Sequence, residues 1–212
     1  MSRVVGILAT LLAGTLLGGA FVDRHVNSRL PSSDVEILLT TEDGSPGICS
    51  GVYIGHGTVL TAKHCTGDEF KNARVVLDQH GKPGPAIDAF LEWQSPTADI
   101  AAYHLTGEIN AQSATLSCRA PQIGEPIEVV GNPYGFTFVH TTGVVAGVGR
   151  TTDDADEVPI SAVITPGNSG GPVYDAYGRI LGIITESTNK QARGAVNFMV
   201  SGQEACRSGH HF

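Results

Sequence analysis

Aromatic residues are scarce in this chain, at 6% of 212 positions, and no long amphipathic helix or heptad pattern runs through it. Glycine, by contrast, occurs 27 times. Few large side chains and many turn formers argue against a helical bundle and suit short strands joined by tight turns. Positive charge is also in short supply. Lys and Arg total 13 against 21 Asp and Glu, a formal net charge of −8, and no basic run occurs anywhere. That balance argues against nucleic acid as a partner, because such a surface needs clustered Lys and Arg. There is no HExxH and no Cys-x-x-Cys, so neither a metal nor another cofactor is expected. His56, His80, His104 and His140 read as structural or surface residues, and His210-His211 as a tail.

One long uncharged run stands out. Val4 to Val22 carries no charge and follows Arg3. Its length fits a membrane span and is long for the apolar centre of a signal peptide. Gly18-Gly19-Ala20 supplies small residues where a signal peptidase could cut, and Arg24 and Arg29 weaken any argument for orientation. The expectation is a signal peptide or membrane anchor over 1–22 and a polar linker over 23–33. The body is then exported, whether membrane-anchored or secreted.

Beyond the linker the chain is long enough for a real core in one large domain or two small ones. Strand-like runs occur at Val35–Leu39, Ser50–Ile54, Thr58–Ala62, Ala73–Leu77, Ile87–Trp93 and Ile100–Leu105. Turn clusters such as Glu42-Asp43-Gly44-Ser45-Pro46-Gly47 and Gly81-Lys82-Pro83-Gly84-Pro85 separate them. A second set follows at Pro126–Val130, Thr137–Thr141, Gly143–Val148, Val158–Ala162, Gly171–Tyr174, Ile180–Glu186 and Ala195–Val200. Thr151 to Glu157 reads as an exposed acidic loop, and Asp175-Ala176-Tyr177-Gly178 as a hairpin turn. The fold expected is all-β: two six-stranded antiparallel β-barrels, over 34–110 and 111–212, with a cleft between them.

Three segments carry chemistry: Thr61-Ala62-Lys63-His64-Cys65, Ala98-Asp99-Ile100-Ala101-Ala102 and Gly167-Asn168-Ser169-Gly170-Gly171-Pro172. A serine hydroxyl is a poor nucleophile at neutral pH. It needs a base to take its proton, a carboxylate to orient that base, and donors for the developing oxyanion. His64, Asp99 and Ser169 supply the three side chains, and glycines around Ser169 allow a sharp turn with amides close to a substrate carbonyl.

With these boxes the chain resembles the trypsin-like serine peptidases of chymotrypsin fold, in an HtrA-like branch without a PDZ domain. Gly131-Asn132-Pro133-Tyr134-Gly135, Thr142-Gly143-Val144-Val145 and Leu181-Gly182-Ile183-Ile184-Thr185 add to the likeness, which runs from about Val35 to Val200. The resemblance implies endopeptidase activity on a protein or peptide substrate through the His64, Asp99, Ser169 triad and an acyl-enzyme. It implies an oxyanion hole in the Gly167, Asn168, Ser169 segment. Four cysteines permit three pairings; the resemblance pairs Cys49 with Cys65, which leaves Cys118 for Cys206 and departs from the HtrA branch toward secreted proteases. Asn168 replaces the aspartate that in digestive relatives pairs with a newly cut amino terminus, so maturation by that route is not expected. Val163 falls at the base of the primary pocket, with Ile164 beside it and Thr185, Glu186 and Ser187 along a wall. A small or medium apolar P1 residue follows, with Glu186 as a feature that draws a basic side chain instead. The alternative is a catalytically latent binding or chaperone-like module. No oligomeric state follows from the pattern, and the membrane is a partner only if residues 1–22 stay attached.

Overall fold

The computed structural model describes residues 33–107, 109–147, 149–152, 155–187 and 196–210. The expected apolar segment over 1–22 lies outside them, as does all of the linker but Ser33. Among the described residues no helix is long and apolar enough to cross a membrane.

The first half closes into a six-stranded antiparallel barrel, as expected, in the order β1-β2-β3-β6-β5-β4. Its strands are β1 Asp34–Thr41, β2 Pro46–Gly55, β3 Thr58–Thr61, β4 Phe70–Asp78, β5 Pro83–Gln94 and β6 Ala101–Leu105. Alternation along a strand sends Val35, Ile37 and Leu39 to one face, where they pack with Val75, Leu77, Val59 and Leu105. The β2–β3 hairpin turns on His56 and Gly57, both at positive φ (52° and 82°). This is the two-residue geometry that suits strand twist.

The second half is a seven-stranded antiparallel sheet ordered β8-β7-β11-β12-β13-β10-β9. Its strands are β7 Pro126–Gly131, β8 Val139–Val144, β9 Arg150–Thr152, β10 Ala155–Ile160, β11 Pro172–Tyr174, β12 Ile180–Ser187 and β13 Asn197–Ser201. A bridge between Val145 and Ile160 curls its first edge onto β10, giving the second barrel of the expected pair as a curled half-barrel, with seven strands where six were expected because the short β9 joins its far edge. Three details differ from the sequence reading. The runs at Thr137–Thr141 and Gly143–Val148 are served by the one strand β8, because Gly143 does not break it. A Cβ there would lie 2.5 Å from Ala162 N, so the glycine admits a close backbone neighbour. The acidic stretch at 151–157 is not a plain loop: Thr152 pairs with Ala155 and Arg150 with Glu157 in a short hairpin. A helix, α1 Gln203–Arg207, is too short to leave a periodic signal.

A third cluster lies between the barrels. Val52, Leu60, Ile100 and Ala102 from the first pack with Val130, Phe138, Tyr174, Ile180 and Ile183 from the second. The disulfides are Cys49–Cys65 and Cys118–Cys206.

Candidate active site

The register of the first barrel brings His64 and Asp99 together. β3 and β6 are antiparallel with Thr61 opposite Ala101. Three residues past Thr61 therefore lies near two residues before Ala101. His64 sits in a 3-10 turn, Lys63–Thr66, that Tyr103 ties down by donating its hydroxyl to Cys65 O at 2.9 Å. Burial pushes the Tyr103 phenol up to about 12, so it stays a donor. Asp99 accepts twice: His64 N–H reaches Oδ1 at 2.9 Å and Nδ1 lies 2.7 Å from Oδ2. A carboxylate only accepts, so Nδ1 carries a proton, which leaves Nε2 as the ring nitrogen able to act as a base. Asp99 itself is set by Ser95, whose Oγ accepts from Thr97 N (3.3 Å) and Ala98 N (3.1 Å).

Ser169 lies in the segment joining β10 to β11. Gly170, at φ 84°, packs so closely on the histidine segment that a Cβ would stand 2.1 Å from Thr61 Oγ1 and 2.9 Å from Ala62 N. Only glycine permits this approach, and it delivers Ser169 to the barrel that carries His64. Cys65 Sγ lies 3.8 Å from Ser169 O. The Ser169 hydroxyl donates to Thr185 O at 3.2 Å, so its proton at rest is directed at that carbonyl.

The amides around Ser169 divide into two groups. Asn168 N–H is committed to Thr165 O at 3.0 Å, Gly170 N–H to Ile184 O at 2.8 Å and Gly171 N–H to Asn168 O at 2.9 Å. Gly167 and Ser169 N–H have no acceptor among the described residues. Of the three residues expected at the oxyanion hole, Asn168 therefore offers no free amide. Its side chain is buried, and a Cβ on Gly131 would meet its Oδ1 at 2.5 Å. A neutral amide at this place avoids the cost of an unpaired buried charge.

A cleft of about 530 Å³ opens beside His64 and Asp99, lined by Lys63, Gln94 and Pro96 from the first barrel and by Glu157 from the second. Val163, expected at the base of the primary pocket, is 64% exposed. Ile164 packs against the second barrel's core. Thr185 is buried and bonds Phe198 O through Oγ1 at 3.4 Å. Glu186 and Ser187 continue β12, and their side chains lie outside the described residues. The sequence reading missed Ser95 and Tyr103. The local signal for Ser95 is its place before proline and two residues ahead of the amide it accepts from. Tyr103 reaches Cys65 across the barrel and leaves none.

Residues 49–183 match the family model described as a trypsin-like peptidase domain. "Protease Do-like 5, chloroplastic" of Arabidopsis thaliana is 36% identical over 88 residues, 37% of this chain and 27% of that protein. A probable periplasmic serine endoprotease, DegP-like, of Brucella suis is 33% identical over 146 residues, 64% of this chain and 27% of its own length. The chain thus spans about a quarter of the length of these curated relatives. Among solved structures, the HtrA-type protease AlgW with tripeptide superposes at TM-score 0.72 and 26% identity, over 82% of this chain and 57% of that one. A serine endoprotease from Yersinia pestis superposes at TM-score 0.71 and 24% identity, over 84% and 61%, a likeness of fold.

Proposed function

Because the chain belongs to the trypsin-like peptidase family, we propose that it is a serine endopeptidase acting through an acyl-enzyme. Ser169 Oγ attacks the scissile carbonyl as His64 Nε2 takes its proton. Asp99 holds the imidazole in that tautomer and stabilises the imidazolium, which then protonates the leaving amine. The negative charge on the tetrahedral oxygen falls to the N–H groups of Gly167 and Ser169. Water repeats the sequence to release the acyl group. The observation that carries this reading is the pair of contacts from His64 to Asp99, 2.9 Å from the backbone amide and 2.7 Å from the ring.

The first step requires the Ser169 hydroxyl to leave Thr185 O and turn to His64. Val163, Ile164 and Thr185 favour a small or medium apolar P1 side chain. DegP-like relatives carry the word periplasmic in their names, which supports export of the body by residues 1–22, whether as signal peptide or anchor. Labelling of the full chain by a fluorophosphonate, beside Ser169→Ala, tests the activity. Labelling confined to the native chain is expected. A native chain that is folded yet inert would sink the reading in favour of a latent binding module.

A further inference from the structure

The two unpartnered amides require the segment 166–169 to be held in one peptide orientation, and the structure has a dedicated device for it. Ser50, on β2 of the first barrel, and Asn132, just after β7 of the second, are both 1% exposed. Asn132 donates its backbone N–H and its Nδ2–H to Ser50 Oγ, each at 2.9 Å. A hydroxyl has two lone pairs and one proton. Both lone pairs are thus filled, so the proton has one direction left, and it reaches Gly167 O at 2.7 Å. The backbone N–H of Ser50 also reaches Ser169 O at 2.7 Å. Ser50 therefore holds the 167–168 and 169–170 peptide planes, which flank on both sides the plane that carries Ser169 N–H, and the first of which adjoins the plane that carries Gly167 N–H. Asn132 is itself anchored, with Nδ2 on Val35 O at 3.0 Å and Oδ1 accepting from Phe138 N at 3.0 Å. The next carbonyl upstream, Pro166 O, accepts from Tyr134 N at 2.9 Å. In a trans peptide N–H and C=O point oppositely, so this contact turns Gly167 N–H away from the Asn132–Tyr134 loop.

Resting on the proposed activity, we infer that Ser50 and Asn132 are positioning residues for the oxyanion-binding amides. Asn132 orients the Ser50 proton, and Ser50 fixes the Gly167 and Ser169 carbonyls. Neither touches the substrate. Both barrels contribute, so the amides are aligned only when the barrels are docked.

The test uses the full chain and its Ser50→Ala, Asn132→Asp and Ser50→Thr variants. Measurements are kcat and KM on an activated p-nitrophenyl ester, fluorophosphonate labelling rate, and the downfield proton resonance of His64 Nδ1–H. Ser50→Ala removes the donor to Gly167 O; Asn132→Asp offers an acceptor that draws the Ser50 proton away. Each should lower kcat and labelling rate by about 10²-fold, with KM within about twofold and the His64 resonance in place. Ser50→Thr keeps the hydroxyl and should recover to within about tenfold of the native rate. A purely structural pair would lower the amount of folded protein while kcat per titrated site stayed native, and that result overturns the inference, as does native kcat in Ser50→Ala. If Ser50→Ala does not fold, Asn132→Asp decides. A native chain that neither labels nor turns over overturns the reading of the site itself, which separates that failure from this one.

Discussion

At the scale of single residues, Asp34 is a carboxyl buried at the joint of the two barrels. It is 3% exposed at the start of β1, and its Oδ1 accepts from Tyr174 OH at 2.7 Å, while Ser33 Oγ lies 3.0 Å from the same phenol. Burial raises its carboxyl from 3.8 to about 7, countered by the Tyr174 bond and His140 and reinforced by Asp78 and Glu128. The folded chain therefore holds this proton more tightly than the unfolded one. The associated stability is full below about pH 4, falls as pH rises toward 7 and is flat above. A shift of this size corresponds to roughly 4 kcal/mol across that window. Asp34→Asn keeps an acceptor for Tyr174 and removes the titration. Its urea midpoint should exceed that of the native chain at pH 8, with a flatter profile between pH 4 and 7. Parallel profiles would refute this assignment. His140, raised chiefly by its bond to Glu128, and Glu36, raised by burial, also lose stability as pH rises, so a smaller slope of the same sign remains in the variant. In the proposed triad, Asp99→Asn should cost about 10⁴-fold in kcat, read by turnover at saturating ester, because the wrong His64 tautomer is then favoured.

Among the elements, the two disulfides separate stability from catalysis. Cys118–Cys206 closes a span of 88 residues from the entry of the second half to α1, far from Ser169 in sequence. On the chain-entropy model its loss costs about 4.5 kcal/mol. The Cys118→Ser/Cys206→Ser chain should unfold at lower urea while kcat stays native. Cys49–Cys65, with a separation of 16, corresponds to about 3 kcal/mol. Yet Cys65 follows His64 and its sulfur touches the Ser169 backbone, so Cys49→Ser/Cys65→Ser should lose kcat as well as stability. Equal kinetic effects from the two pairs would reject the distinction. The first barrel was legible because its turns carry their own signals, such as Asp43-Gly44-Ser45-Pro46 or Gly81-Lys82-Pro83, between strand-like runs. What escaped depends on partners distant in sequence. Gly143 is a strand residue because of Ala162, and 150–157 pairs as a hairpin although its composition looks like a loop. The triad residues stand in recognisable boxes, but Ser50 meets Asn132 and Gly167 across 82 and 117 positions. Local sequence gives no reason for a serine to be buried there.

For the whole molecule, the decisive feature is that the core between the barrels belongs to neither. Val52, Leu60, Ile100 and Ala102 would lose their cover if the second barrel came away, and Val130, Phe138 and Ile183 would lose theirs if the first did. Each buried aliphatic side chain is worth roughly 1.5–3 kcal/mol, so separating the barrels exposes more apolar surface than a marginally stable domain tolerates. The links that cross the seam are polar as well: Tyr174 to Asp34, Ser50 to Gly167 and Asn132 to Val35. Each leaves a buried group unsatisfied if the seam opens. The two barrels are therefore expected to unfold as one unit. Trp93, the sole tryptophan, packs against this shared cluster and stacks on His210 at 5.8 Å. Its fluorescence reports the seam, far-ultraviolet dichroism reports the strands, and fluorophosphonate labelling reports the site. In urea all three should follow one transition with one midpoint, because the amides proposed to bind the oxyanion sit in a segment hydrogen-bonded to residues of both barrels. Loss of labelling well before loss of strand signal, with Trp93 following the labelling, would mean that the barrels undock while each stays folded. The shared core would then be too weak to couple them.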